Sequence, residues 1–415
     1  MKRIIPFKGI LYNTSKVSME DVLAPPYDII TPEYREALYM QSPYNIVRID
    51  FGKELPEDNE TENKYKRARN YLEKWLKENI FIQSDKPSFY IYEMDFSING
   101  KTKKLAGLIG LVKLEELGKG SIYPHECTHS KPKQDRLNLM RSCEANTSPI
   151  FSLYKSMKNG ISKIIKKTTE DKPYINAIDI KGDTHKLWII DNPEEIRIIQ
   201  DELENKPIFI ADGHHRYETA LEFFKEISDK NPSSELNSGY VMMFLANMCD
   251  EGVTILPTHR LLKEIPPEME NLLSEHFNFE VVKDDFDIVK RLRERKNSFG
   301  FAINSEKQWY ILSYKGGRIA GIPENLQDID AMILHELIFK ELLHTADIGY
   351  EMNVDLALDK LKLGQYKAAF FLNPTKVEDV EKSALSSVRM PPKSTYFYPK
   401  LLTGLVINKF GSSTN

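Results

Sequence analysis

Hydrophobic positions along this chain recur with two different periods, and their alternation predicts a mixed fold. Over 63–78, Tyr65, Ala68, Tyr71, Leu72, Trp75 and Leu76 fall on one face at helical spacing. Strand-like runs follow at 88–95 and 104–113, with Asn99-Gly100 between them as a hairpin signal. Residues 188–191 predict a short strand and 193–203 a helix. A buried strand at 207–211 then meets a tight turn and a second helix, before the long apolar run 240–248. Beyond Leu261 the pattern predicts helices at 266–277, 284–295, 329–343 and 377–387, and strands at 298–304, 309–314 and 368–372. Residues 42–50 read as a turn feeding a strand, and 155–185 as a lysine-rich and then irregular stretch. Strands alternating with helices almost throughout predict an α/β (α+β) fold. Three segments are expected: 1–115, a signature-bearing core at 116–263, and 264–415.

Composition narrows the partners. A chain of 415 residues, 41% hydrophobic and 28% charged, can bury a large core. Its net charge of −4 offers no basic footprint for nucleic acid. No run of about 18 apolar residues predicts a membrane span, and the first residues lack a signal-peptide apolar region. Cys127, Cys143 and Cys249 show no Cys-x-x-Cys spacing, which argues against a disulfide framework or a cysteine zinc site. A reducing cytoplasm is the expected compartment.

The densest chemistry lies in residues 206–224. The turn Asp212-Gly213-His214-His215-Arg216 carries a carboxylate, two imidazoles and a guanidinium where a helix opens. The first N–H groups of a helix are unpaired and its dipole favours negative charge, so phosphate or carboxylate binds there readily. Arg216 adds a bidentate anion contact, and histidines move protons near neutral pH. An N-cap alone would need only one of these residues.

Two further clusters are polar beyond what packing requires. Pro124-His125-Glu126-Cys127-Thr128-His129 precedes Lys131, Lys133, Asp135, Arg136 and Arg141. His125, Glu126 and His129 match the spacing of a zinc protease, but that motif works only on a helix. Ser130-Lys131-Pro132 is expected to end any helix after one turn, so a loop bearing an acid/base pair beside cations is the reading preferred. The residues that would hold a metal are left unknown by the sequence. Near the C-terminus, Met390-Pro391-Pro392-Lys393-Ser394-Thr395 presents an ammonium and two hydroxyls on a proline-stiffened loop without the glycines of a phosphate loop. Tyr27-Asp28, Tyr44-Asn45, Asp250-Glu251 and His259-Arg260 are weaker candidates, and Asp328 and Asp330 read as helix caps.

Together the segments 211–221, 124–128 and 390–400, with Ala-Pro-Pro-Tyr-Asp at 24–28 and Pro-Tyr-Asn-Ile-Val at 43–47, resemble the family called domain of unknown function 1015. That family is often labelled "SpoOJ/ParA/ParB/repB family protein". The label reflects a more distant resemblance to the ParB/sulfiredoxin superfamily, whose strand-turn-helix binds nucleotide phosphates. Sulfiredoxin has Gly-Cys-His-Arg at the turn, and His214 stands here in place of its cysteine. The free serine kinase of that superfamily has Asp-Gly-His-Thr-Arg, and His215 stands in place of its threonine.

The resemblance implies a ParB/sulfiredoxin-like nucleotide-binding core with added α/β segments, and ATP or ADP with Mg2+ as cofactors. It implies a phosphotransferase acting on serine or O-phosphoserine. In that reading Asp212 to Arg216 hold phosphate, completed by Arg136, Lys393, Ser394 and Thr395. Glu126 or Asp212 is the base and His125 or His215 the partner acid, while Tyr27, Asp28, Asn45 and Lys400 line the substrate site. Two alternatives remain open at this point: a phosphoserine phosphatase that works without nucleotide, either metal-dependent or using His214 as nucleophile, and a non-enzymatic nucleotide-binding or DNA-partitioning protein.

Overall fold

Strands Phe89–Ile98 and Lys101–Lys113 form the long hairpin that the apolar runs predict, turning at Gly100 with φ +72°. The computed structural model describes all residues except 1, 99, 127–129, 159, 231–238, 283–284, 294, 305–307 and 412–415, so Asn99 of that turn lies outside the described residues. The chain divides into two units. One comprises Met1–Pro124, Thr128–Val253 and Pro399–Asn415; the other comprises His125–Cys127 and Thr254–Tyr398. Both are mixed α/β.

In the first unit most of the described strands make one mixed sheet. Its main order is Ile122–Tyr123, Ile208–Asp212, Ile150–Tyr154, Tyr240–Asn247, Lys101–Lys113, Phe89–Ile98, Thr184–Ile190 and Ile175–Ile178. Ile4–Ile5 pairs with Lys101–Lys113 off that order, and two pairs are separate: Ile10–Tyr12 with Phe81–Gln83, and Ala145–Asn146 with Asn408–Lys409. Tyr240–Asn247 is almost wholly buried, which explains its continuous apolar run in place of alternation. Helix Lys64–Lys77 begins where Asn63 accepts from the amides of Tyr65 and Lys66, both at 3.1 Å, and it buries Ala68, Leu72 and Trp75. Helix Pro193–Leu203 is capped in the same way by Asn192, with Pro193 at its first position.

Three expectations are corrected here. Residues 42–50 feed no strand: Val47–Asp50 is one turn of helix, opened by the Asn45 side chain accepting from Val47 N at 3.0 Å. Ser130–Cys143 is a helix of 14 residues, because Pro132 falls in the first turn, where its missing N–H costs nothing. The stretch 155–185 contains helix Gly160–Thr168, whose Ile161 and Ile164 are buried, and strand Ile175–Ile178.

The second unit holds a sheet ordered Phe277–Val282, Gln308–Tyr314, Ser298–Ile303, Ala368–Phe371, His259–Leu262 and Ile348–Glu351. Its core gathers Leu261, Ile288, Ile311, Ala357, Leu361 and Phe371. The segment expected as one helix over 329–343 is a turn of α-helix, Asp330–Ile333, that continues as a π-helix, Leu334–Leu342. Asp330 is more than a cap. Burial, with Asp379 and Asp328 adding to it, pushes its carboxyl up to about 7 while it accepts from Asn297 N at 3.1 Å. A carboxyl raised in the folded state subtracts stability above its unfolded pKa of about 4, progressively up to its folded value. Asp330→Asn is therefore expected to stabilise the protein by roughly 2–4 kcal/mol at pH 7.5 and to add nothing at pH 4. Urea unfolding at the two pH values measures this. Among the described residues no helix is long and apolar enough to cross a membrane.

Candidate functional site

In the first unit the site is built at one end of strand Ile208–Asp212. The strand runs parallel to Ile122–Tyr123 and antiparallel to Ile150–Tyr154, and the register slips between Ile210 and Asp212. Such a bulge bends the strand and re-aims the side chain that follows it. Gly213 then takes φ +93°, a conformation that side chains rarely adopt, and helix His214–Lys230 starts at the next residue. Its first turn is closed by Tyr217 N donating to Gly213 O at 3.1 Å.

The carboxylate of Asp212 is held from both sides. Lys400 Nζ lies 2.8 Å from Oδ1 and Arg216 Nη2 lies 3.2 Å from Oδ2. Burial alone would raise this carboxyl, but Lys400 and Arg216, with His214 adding to them, hold it well below the usual carboxylate range. Arg216 also donates to Ser148 Oγ at 3.3 Å and to the carbonyl of Pro149. The guanidinium thus folds back across Gly213, where a Cβ would stand 2.8 Å from Arg216 Nε. Glycine is needed here twice, for its φ and for this approach. His214 is buried and His215 half-buried in the first helical turn.

Arg136 reaches the same region from helix Ser130–Cys143. That helix is joined to His214–Lys230 by Lys133 Nζ to Glu218 at 3.0 Å and Thr219 Oγ1 to Lys133 O at 3.3 Å. Arg136 is buried between Asp135, at 2.6 Å, and Asp50, at 3.4 Å, and its guanidinium lies 4.1 Å from the ring centroid of Tyr27. Asp50 in turn accepts from Thr147 Oγ1 at 2.7 Å. Burial pushes the Tyr27 hydroxyl up to about 12 despite the nearby Arg136 and Arg216. Both guanidiniums line a cavity of about 30 Å³ with Asp50, Asn146, Thr147 and Ser148, room for an ordered water. Asp28 is exposed at the turn that carries Tyr27. Asn45 is fully buried and anchors that segment by donating to Asp21 O at 2.8 Å and Leu23 O at 3.2 Å.

A model of the DUF1015 family, described as a protein of unknown function, matches residues 4–335. The chain belongs to that family. Among solved structures, this DUF1015 protein is similar to a conserved hypothetical protein from Pyrococcus furiosus, with 13% identity over 67% of this chain and 87% of that one, at a TM-score of 0.35. It is also similar to a free serine kinase in complex with AMP, with 12% identity, 68% and 92% coverage, and a TM-score of 0.35. A C-terminally truncated SbnI from Staphylococcus aureus shows 11% identity, 73% and 82% coverage, and a TM-score of 0.33. No curated protein matches the chain. Likenesses as loose as these say nothing about activity, and the chemistry of the DUF1015 site rests on its own residues.

The remaining expected residues lie in the second unit of this DUF1015 protein. His125 Nε2 is 2.8 Å from Thr395 Oγ1, and Glu126 Oε1 accepts from Thr395 N at 3.1 Å and from Thr395 Oγ1 at 3.0 Å. Ser394 Oγ donates to Pro391 O at 2.7 Å, and Lys393 stands exposed at φ +59°. His125 and Glu126 therefore meet the proline-stiffened loop, bridged by Met390 N donating to His125 O at 2.7 Å. His129, the third residue of the zinc-protease spacing, lies outside the described residues.

Among the described residues no group of three or more His, Cys, Asp or Glu could hold a metal ion. Both oxygens of Asp212 are occupied by cations. The residues at the turn therefore fit Mg2+ only as an ion carried by bound phosphates, which is how this ion commonly binds. Sequence reasoning passed over Asp50, Thr147, Ser148 and Lys64, the last lying 2.7 Å from Asp135. No local spacing marks them, since each meets its partner across the fold.

Proposed function

We propose that this protein is a phosphotransferase interconverting serine and O-phosphoserine, with the phosphate bound at the start of helix His214–Lys230. The observation that carries this reading is the Asp212–Arg216 turn, where a buried strand delivers the N-terminus of a 17-residue helix beside Lys400, Arg216 and Arg136. Phosphoryl transfer asks a protein mainly for positioning and charge neutralisation, and these groups supply both. In the forward direction the serine oxygen bonds to the terminal phosphorus of ATP, the bond to ADP breaks, and the hydroxyl proton passes to a base.

Asp212 is a poor candidate for that base, because a strongly acidic carboxyl accepts protons weakly at neutral pH. Its role is to orient Lys400 and Arg216, and the imidazoles of His214 and His215 are better suited to move the proton. A magnesium ion arriving with the nucleotide would neutralise charge on the phosphates.

The test incubates the purified chain with Mg2+ and O-phosphoserine, with and without ADP, and follows serine, ATP and inorganic phosphate. Equal serine and ATP, formed only when ADP is present, is the expected result. Inorganic phosphate without ADP would make the protein a phosphatase instead. Release of no serine in either arm would overturn both enzymatic readings.

A further inference from the structure

We infer that the second unit carries its own phosphate seat, formed by Arg260, Lys393 and Thr258. Arg260 is 4% exposed, yet among the described residues its guanidinium donates to uncharged acceptors, Thr258 O at 2.6 Å and Lys393 O at 3.0 Å. Its other neighbour is the ring of Tyr350, 4.8 Å away. Among the described residues no carboxylate forms an ion pair with it. Glu126 is the acid that it senses, but Oε1 of Glu126 is occupied by the amide and hydroxyl of Thr395. A buried cation without a paired anion is costly, and here burial pushes Arg260 down to about 10.

Two independent features point the same way. Thr258 is 5% exposed and its Oγ1 has no hydrogen-bond partner. It lies two residues before Arg260, whose guanidinium donates to the Thr258 carbonyl. Lys393, whose carbonyl Arg260 holds, is in the left-handed region and has an exposed side chain; its ammonium has no partner among the described residues. The Arg260 guanidinium is held to the carbonyls of the two residues that carry the spare hydroxyl and the ammonium, and the three groups suit a phosphate: two charge-assisted contacts and one neutral donor. This seat stands on residues separate from the Asp212 turn and survives if the phosphotransferase reading fails.

Binding of inorganic phosphate, O-phosphoserine and ADP to the full chain is measured by calorimetry for wild type, Lys393→Ala, Thr258→Val and Arg260→Met, each also carried in an Arg216→Ala background to remove a cation from the turn and weaken its hold on phosphate. Lys393→Ala is expected to weaken phosphate binding about tenfold with unchanged melting temperature. Thr258→Val is expected to weaken it severalfold while raising the melting temperature of the ligand-free protein, since it removes an unsatisfied buried hydroxyl. Preference for O-phosphoserine over ADP would assign the seat to the substrate phosphate, and the reverse to the nucleotide. Phosphate affinity unchanged in both Lys393→Ala and Thr258→Val overturns the inference whatever Arg260→Met does to folding.

Discussion

Asp212→Asn is expected to cost the folded protein roughly 3–5 kcal/mol at pH 7 and to lower phosphotransfer at least 100-fold. The substitution keeps the shape of the side chain and removes its charge. Lys400 and Arg216, with side chains 8% and 12% exposed, would then be two buried cations facing one neutral amide. Breaking such an arrangement from one side leaves charge uncompensated, which costs more than the intact pairs contribute. The double variant Asp212→Asn, Lys400→Met is expected to recover much of the stability and none of the activity. Guanidinium unfolding of the two variants beside the ADP-dependent assay separates structure from chemistry.

The same carboxylate sets an acid limit. Its pKa is depressed in the folded state, so its contribution is fully present above the unfolded value of about 4. That contribution is lost as pH falls below 4 towards the folded value. Wild type should therefore lose stability relative to Asp212→Asn only below about pH 4. Parallel denaturation curves for the two proteins down to pH 3 would remove the electrostatic account of this turn.

Gly213→Ala is the second change with a large expected effect. At φ +93° an alanine is strained, by roughly 1–3 kcal/mol for a residue forced into such a region. The added Cβ would also stand 2.8 Å from Nε and 2.9 Å from Nη2 of Arg216. That guanidinium cannot retreat without giving up Asp212, Ser148 and the Pro149 carbonyl. We expect a melting temperature several degrees lower and activity reduced at least tenfold, because the clamp on Asp212 is displaced. Arg216→Ala placed on top of Gly213→Ala should add much less than it does alone, since both disturb one contact. Full additivity of the two would mean that the glycine acts only through its backbone.

The legible parts of the fold were those decided within a few residues. Helix Lys64–Lys77 follows from an asparagine cap and an apolar stripe, and helix Pro193–Leu203 from an asparagine cap followed by proline. The strand, turn and helix over residues 208–230 were equally readable, because a buried run, an Asp-Gly pair and a helical pattern succeed one another without a gap. Misreadings arose where a local signal had two structural solutions. Pro132 is as much at home in the first turn of a helix as beyond the end of one, and the structure puts it at the start. Val47 and Ile49 alternate well enough for a strand, but the side-chain oxygen of Asn45, accepting from Val47 N, opens a helical turn there.

By itself, then, the sequence determined an α/β chain of this family with a strand, a charged Asp212–Arg216 turn and a helix in succession, because periodicity, capping and glycine conformation act over short spans. Only the tertiary structure decided what surrounds that turn. Lys400 reaches Asp212 from 188 residues along the chain, and Asp50 meets Thr147 across 97. It likewise brought His125 and Glu126 to Thr395, some 270 residues away. Charges pair through space, and no spacing rule along the chain records which distant partner a fold will supply.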